Sequence, residues 1–251
     1  MSDIQPAIPA ATLIIFRDSI AGPPELLMVE RAKKMVFAGG AWVFPGGRID
    51  PGDYALAESL FPSEDGPSRI AAIRETIEEA GLPVGLDSMP SHDALTRLRA
   101  RLHDGQEFAD ALREAQMRLA PHLLHPFARW LPAHAHMRIF DTRFFLARLP
   151  ADAPHASVDE TENVRLRWTT AQALLDDADA GRATIIYPTR RNLERLALYA
   201  DFDAAVTHAQ AHPVQTITPF MAERDGEPHL CIPDGIGYPV TSELVTSAKR
   251  G

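Results

Sequence analysis

The chain has 251 residues, 45% of them hydrophobic and 24% charged, the balance of a globular protein rather than a disordered or fibrous one. Lys and Arg number 25 against 34 Asp and Glu, a formal charge of −9, which argues against non-specific binding to nucleic acid or an anionic membrane. The one cysteine, Cys231, excludes an intramolecular disulfide and fits a reducing compartment.

Residues 1–12 carry Asp3, Pro6 and Pro9 and lack a basic start followed by an apolar core, so no targeting segment and a cytoplasmic location are expected. Early apolar runs fall short of the ~20 residues that span a bilayer, so no membrane association is expected. Residues 11–16 and 25–31 read as two strands of a hairpin around a turn with Gly22, Pro23 and Pro24. A short strand at 42–44 is broken by Pro45-Gly46-Gly47. Residues 54–67, with Pro62, Gly66 and Pro67, read as irregular. Ser68 is the expected N-cap of a helix to Ala80, with Ile70, Ile73 and Ile77 on its core side and Gly81 as its stop. Residues 84–126 read as a helical insertion, with helices at 93–103 and 106–120. Strands are expected at 127–131, 137–149 and 164–168, helices at 170–180 and 189–210, and a hairpin within 215–238 turning at Asp225-Gly226. Mixed strands and helices suggest an α/β or α+β sandwich.

The chemistry is concentrated in Arg74-Glu75-Thr76-Ile77-Glu78-Glu79-Ala80-Gly81-Leu82. Glu75 and Glu79 are four apart and share a helix face, with Glu78 beside them. Like charges at that spacing repel, and anions near a helix C-terminus oppose its dipole. Three such carboxylates are either a solvated face or the seat of a hard divalent cation, which takes oxygen ligands. Arg74, four before Glu78, is placed to pair with it. The spacing predicts Glu75 and Glu79 on the exposed face, opposite Ile70, Ile73 and Ile77.

Other candidates are weaker. His122 with His125, and His134 with His136, lack the further ligands of a zinc site. Lys33 and Lys34 could meet a phosphate, and Trp130 and Phe127 a base, but exposed lysines and core aromatics are the ordinary readings. Arg190 and Arg191 read as surface residues. No P-loop, Gly-x-Ser-x-Gly or Gly-x-Gly-x-x-Gly is present.

The stretch resembles the Nudix hydrolases, whose box runs Gly, five residues, Glu, seven residues, Arg-Glu-apolar-any-Glu-Glu-any-Gly-apolar. Arg74, Glu75, Glu78, Glu79, Gly81 and Leu82 match its second half, and Gly47 with Asp53 its first. Asp53 replaces Glu, Thr76 replaces an apolar residue, and 20 residues separate Asp53 from Arg74. A second register uses Gly52 and Glu58, so either Asp53 or Glu58 holds the first acidic position. The interrupted box, with 26–31, 42–47, 140–146, the helical insertion and Pro188-Thr189, is similar to a branch related to animal peroxisomal coenzyme A diphosphatases.

The resemblance implies an α/β/α sandwich with a mixed sheet. It implies a Nudix domain at 8–200, with insertions at about 54–67 and 84–126, and a C-terminal helix-and-hairpin extension at 201–251. It implies Mg²⁺- or Mn²⁺-dependent hydrolysis of a nucleoside diphosphate linked to another moiety, with coenzyme A or acyl-coenzyme A as substrate. The alternatives are ADP-ribose, NADH, or a non-catalytic nucleotide-binding regulator. Glu75, Glu79 and Gly47 would hold metal, with the two carboxylates converging on a cavity near the Gly46-Gly47 turn. Arg74 and Glu78 would serve catalysis, Glu160 or Glu162 would be the general base, and Arg31 and Arg48 would contact substrate. The partner expected is a small nucleotide rather than a nucleic acid, and a homodimer is compatible with the sequence. The insertion and the 127–131 strand are expected to wall one side of the cleft.

Overall fold

The computed structural model describes residues 6–19, 22–35, 38–132, 139–158 and 163–248. An extended β1 (Ile8–Arg17) alternates its side chains between two layers. Ala11, Leu13 and Ile15 point into one hydrophobic cluster, and Ile14 and Phe16 into a second. The antiparallel neighbour β2 (Glu25–Arg31) divides likewise, with Leu27 in the first cluster and Leu26 and Met28 in the second.

Further along are β3 (Trp42–Val43), β4 (Gly46–Arg48), β5 (His125–Trp130), β6 (Phe140–Arg148), β7 (Asn163–Thr170) and β8 (Thr216–Ile217). The strand order is β3-β2-β1-β6-β5-β8, with β4 also on β1 and β7 also on β2. The pairs β1–β6 and β5–β8 are parallel and the others antiparallel, so the sheet is mixed.

The first cluster is covered by α2 (Gly66–Ala80), α3 (His92–His103) and α4 (Phe108–Ala115), joined by Ala57 of α1 (Pro51–Leu60). The second is covered by α5 (Ala171–Asp179), α6 (Tyr187–Leu196) and α7 (Phe202–Ala211). Helices on both faces of a mixed sheet make the expected α/β/α sandwich. A separate three-stranded sheet, β9 (Phe220–Arg224), β10 (Glu227–Cys231) and β11 (Ser242–Leu244), precedes a short α8 (Val245–Ala248). Its hairpin turns at Asp225-Gly226, both at positive φ.

Three local expectations are corrected. Of the residues 54–67 expected to be irregular, 54–60 belong to a helix that starts at Pro51, because Pro51 sits in its first turn and Asp50 and Asp53 form a reciprocal capping box. The next helix starts at Gly66 after Asp65, not at Ser68. The single helix expected at 189–210 is two, because the chain turns at 197–201 and Asp201 caps α7 through the Ala204 amide. Gly81 ends α2 in the left-handed conformation, as expected. No described helix is long and apolar enough to cross a membrane.

Candidate active site

Pairing of β4 with β1 sets Gly47 opposite Ala11 and Gly46 opposite Thr12. That register lays the Gly46-Gly47 turn against the end of α2. The Gly46 N–H donates to Glu79 Oε2 at 2.9 Å. Asn163, the first residue of β7, donates its side-chain amide to Glu79 Oε1, also at 2.9 Å. A Cβ on Gly47 would run into the Glu75 carboxylate, so this approach requires glycine.

The convergence on the turn matches the sequence-based expectation, but the exposure does not. Glu79 is only 5% exposed. The sheet covers the isoleucine side of α2, while α1, β4 and α3 pack around the rest. The carboxylates therefore face a cleft inside the protein.

Arg74 organises the cluster. Its Nε and Nη2 donate to the two Asp53 oxygens at 3.1 and 2.8 Å, its Nη1 to Glu75 at 2.8 Å, and its Nη2 to the Arg48 carbonyl at 2.9 Å. Glu78 is more distant, at 3.8 Å. Asp53 is 1% exposed, whereas Glu58 lies exposed on α1. The geometry thus puts Asp53, not Glu58, with the box arginine. Burial lowers the Arg74 pKa, but the Asp53 hydrogen bonds and the Glu75, Asp53 and Glu78 charges outweigh it and leave it raised. Burial pushes the Glu75 carboxyl up to about 8; Arg74 opposes that rise and Glu79 and Glu78 add to it. Burial also raises Glu78, against the pull of Arg74.

These groups open into a cavity of about 670 Å³. Arg31 and Arg48 line it with Arg74, Glu75, Glu78, Glu79 and Gly47, so the structure gathers these seven expected residues. Glu160 and Glu162 lie outside the described residues, as do His134 and His136. Among the described residues no three His, Cys, Asp or Glu side chains are grouped to bind an ion as they stand. Arg74 holds Glu75, while Gly46 and Asn163 hold Glu79.

Leu102 and His103 of the insertion and Trp130 of β5 line the same cavity. Most insertion leucines do not: Leu95, Leu98, Leu112 and Leu124 seal it onto the α2 layer. Trp130 is nearly inaccessible and its indole N–H faces Asn192 and Tyr238, and Phe127 is core, so neither presents a free stacking face. Arg191, expected at the surface, is 2% exposed, because it pairs with Glu194 and Glu243 beneath the C-terminal sheet.

Sequence reasoning missed Asn163 and Arg99. Arg99 of α3 donates to the Glu78 and Glu79 carbonyls at 2.8 and 3.1 Å and to Ser157, clamping the end of α2. A lone Asn before a strand and an Arg on a polar helix face carry no local signal. Only long-range pairing reveals them.

The family description "NUDT19 Nudix domain" matches residues 55–196, more than half of the chain. The chain belongs to the Nudix hydrolase family. Putative nudix hydrolase 7 of Caenorhabditis elegans is 27% identical over 202 residues, covering 76% of this chain and 64% of that protein. Acyl-coenzyme A diphosphatase NUDT19 of Xenopus laevis is 27% identical over 231 residues, covering 70% of this chain and 60% of that one. The chain thus matches less than two thirds of either relative's length. A Nudix hydrolase structure from Alicyclobacillus acidocaldarius superposes with a TM-score of 0.70 at 27% identity, covering 81% of this chain and 97% of that one. The Nudix fold agrees with the mixed sheet and two helical layers.

Proposed function

We propose that this Nudix chain is a diphosphatase that uses Mg²⁺ or Mn²⁺ to hydrolyse a nucleoside diphosphate linked to another moiety, with coenzyme A or an acyl-coenzyme A as substrate. The observation that carries the reading is the pair Glu75 and Glu79, held at the Gly46-Gly47 turn and open to the cavity. The donor set suits a hard cation, with two carboxylates and the Gly47 carbonyl. Burial, with the Glu79 and Glu78 charges adding to it, disfavours the Glu75 carboxylate, and a cation there would offset both. Glu75, Glu79 and the Gly47 carbonyl would hold such a cation, which would supply water activation and charge stabilisation at the phosphate.

The remaining work belongs to the chain. Asp53 holds Arg74, and Arg74 orients Glu75. Asn163 and Gly46 fix both Glu79 oxygens. Arg31 and Arg48 offer positive charge to an anionic substrate in the cavity. Glu160 or Glu162, in the segment before β7 where the family resemblance places the general base, takes the proton of the attacking water.

Two observations favour coenzyme A. The Xenopus relative is named an acyl-coenzyme A diphosphatase. The insertion adds Leu102 to the cavity wall, where a long pantetheine arm needs apolar contact. In this reading residues 8–200 form the catalytic unit and 201–251 an extension packed on it, in a cytoplasmic protein able to dimerise.

The test is a panel of coenzyme A, acyl-coenzyme A, ADP-ribose and NADH with Mg²⁺ or Mn²⁺ and product identification. The expected products from coenzyme A are adenosine 3′,5′-bisphosphate and 4′-phosphopantetheine. Much faster turnover of ADP-ribose would replace the substrate assignment. No metal-dependent turnover of any member would leave a nucleotide-binding regulator.

A further inference from the structure

The cavity has a second polar end, on the other side of the sheet from α2. Thr12 and Thr142 share the β1 and β6 register of Ile14 and Leu146, which belong to the second cluster, so they face the α6 layer. Trp130 and Phe144 line the cavity from that layer too. Here α6 begins, and Ile186, Pro188 and Thr189 reach the cavity. All four cavity carboxylates, Asp50, Glu75, Glu78 and Glu79, come from α2 or from the segment between β4 and α1.

The start of α6 is left without the partners a helix normally recruits. Its N-cap is Ile186, which has no side-chain acceptor. The first helical backbone bond comes from Arg190 N–H to Ile186. Pro188 has no N–H, and the Tyr187 and Thr189 amides find no acceptor among the described residues. Thr189 is only 3% exposed, yet its hydroxyl also makes no hydrogen bond among the described residues. The Thr189 oxygen is not sealed off but keeps contact with the cavity it lines, and a helix N-terminus carries partial positive charge. Thr189 supplies both an amide and a hydroxyl donor at the cavity wall it shares with Thr12 and Thr142. A tetrahedral oxyanion has enough acceptor oxygens for both.

We infer that the amino end of α6, with the Thr189 hydroxyl, seats a phosphomonoester of the substrate, distinct from the diphosphate under attack. The inference rests on the diphosphatase reading and refines its substrate to an organic diphosphate with an additional phosphate. On coenzyme A, that group is the ribose 3′-phosphate.

Isothermal titration calorimetry on the metal-free full chain, with adenosine 3′,5′-bisphosphate and AMP as probes, tests the seat. The wild type should bind the bisphosphate on the order of tenfold more tightly, the effect of hydrogen bonds to a charged group. Thr189→Val should collapse that ratio towards one, and Thr189→Ser, which keeps the hydroxyl, should retain it. A wild-type ratio near one, no binding of either nucleotide, or a ratio unchanged by Thr189→Val would overturn the seat. Turnover of coenzyme A and dephospho-coenzyme A with Mg²⁺ separates the two readings. Equal kcat/KM for both would sustain the diphosphatase and overturn the seat. No turnover of either, with the bisphosphate preference intact, would remove the coenzyme A assignment and keep the seat.

Discussion

Asn163 and Glu79 are 84 positions apart in the chain, yet the Asn163 amide donates to Glu79 Oε1 at 2.9 Å inside the protein. With the Gly46 N–H on Oε2, both oxygens of this carboxylate are held by donors from two different strands. Fixing a ligand by groups behind it is what gives a metal site its geometry. Asn163→Ala should therefore weaken Mn²⁺ binding by about 10- to 100-fold, the range for loss of such a supporting bond. Titration calorimetry with Mn²⁺ on the folded variant checks it, and unchanged affinity would remove Asn163 from the site.

Asp53 is the main partner of a buried arginine. Asp53→Ala should destabilise the chain by roughly 3–5 kcal/mol, since it strands the Arg74 charge and also removes the α1 capping box. Glu58→Ala, at an exposed position on the same helix, should change stability by no more than ~0.5 kcal/mol. Urea denaturation of the two variants measures the difference. Equal losses would return the first acidic position of the box to dispute.

Gly47 leaves no room for a side chain. Gly47→Ala should displace the Glu75 carboxylate and lower metal-dependent turnover, while a Gly105→Ala control, where a Cβ meets nothing but the backbone has positive φ, should cost stability only. Steady-state kinetics alongside thermal melts distinguish the two effects. Full activity in Gly47→Ala would mean that the approach seen at Glu75 has no role.

Glu194 sets a pH dependence away from the cleft. Burial raises its carboxyl to about 7; Arg191 and Arg190 oppose that rise, while Glu243 and Asp179 add to it. One of its oxygens is buried without a hydrogen-bond partner. Between about 4.5 and about 7 the folded state binds more protons at this site than the unfolded state, so its contribution to stability is greatest below about 4.5 and is lost as pH rises through about 7. Glu194→Gln should flatten the stability profile across that window. Melting temperatures at half-unit pH steps check it, and an identical slope in the variant would refute the assignment.

The α2 helix and the hairpin of β1 and β2 were legible because their signals are local: isoleucines at three and four, Gly81 at the stop, and Gly-Pro-Pro at the turn. The α1 helix was not legible because Pro62, Gly66 and Pro67 are breakers, while its start depends on Pro51 and on the Asp50 and Asp53 cap. The split between α6 and α7 hid in an apolar, helix-compatible stretch and depends on the Asp201 cap. At the site, the residue types and the Gly-Gly turn were readable from the box. Their burial was not, because a charge on a helix reads as exposed until the strands that cover it are placed. Asn163, Arg99 and the open start of α6 arise from strand register and layer packing, which no spacing in the sequence encodes.

In the proposed mechanism Glu79, held at the Gly46-Gly47 turn, is a ligand of the metal that drives hydrolysis. The most direct measurement is the turnover of Glu79→Gln with Mg²⁺ and coenzyme A, beside its melting curve. Glutamine keeps the shape but offers one acceptor where Gly46 and Asn163 now use two, so stability should fall by about 1 kcal/mol. Turnover should fall on the order of 10²-fold or more in a protein that remains folded, since an anionic oxygen ligand is lost. Wild-type-like turnover in that folded variant would remove Glu79 from the metal site.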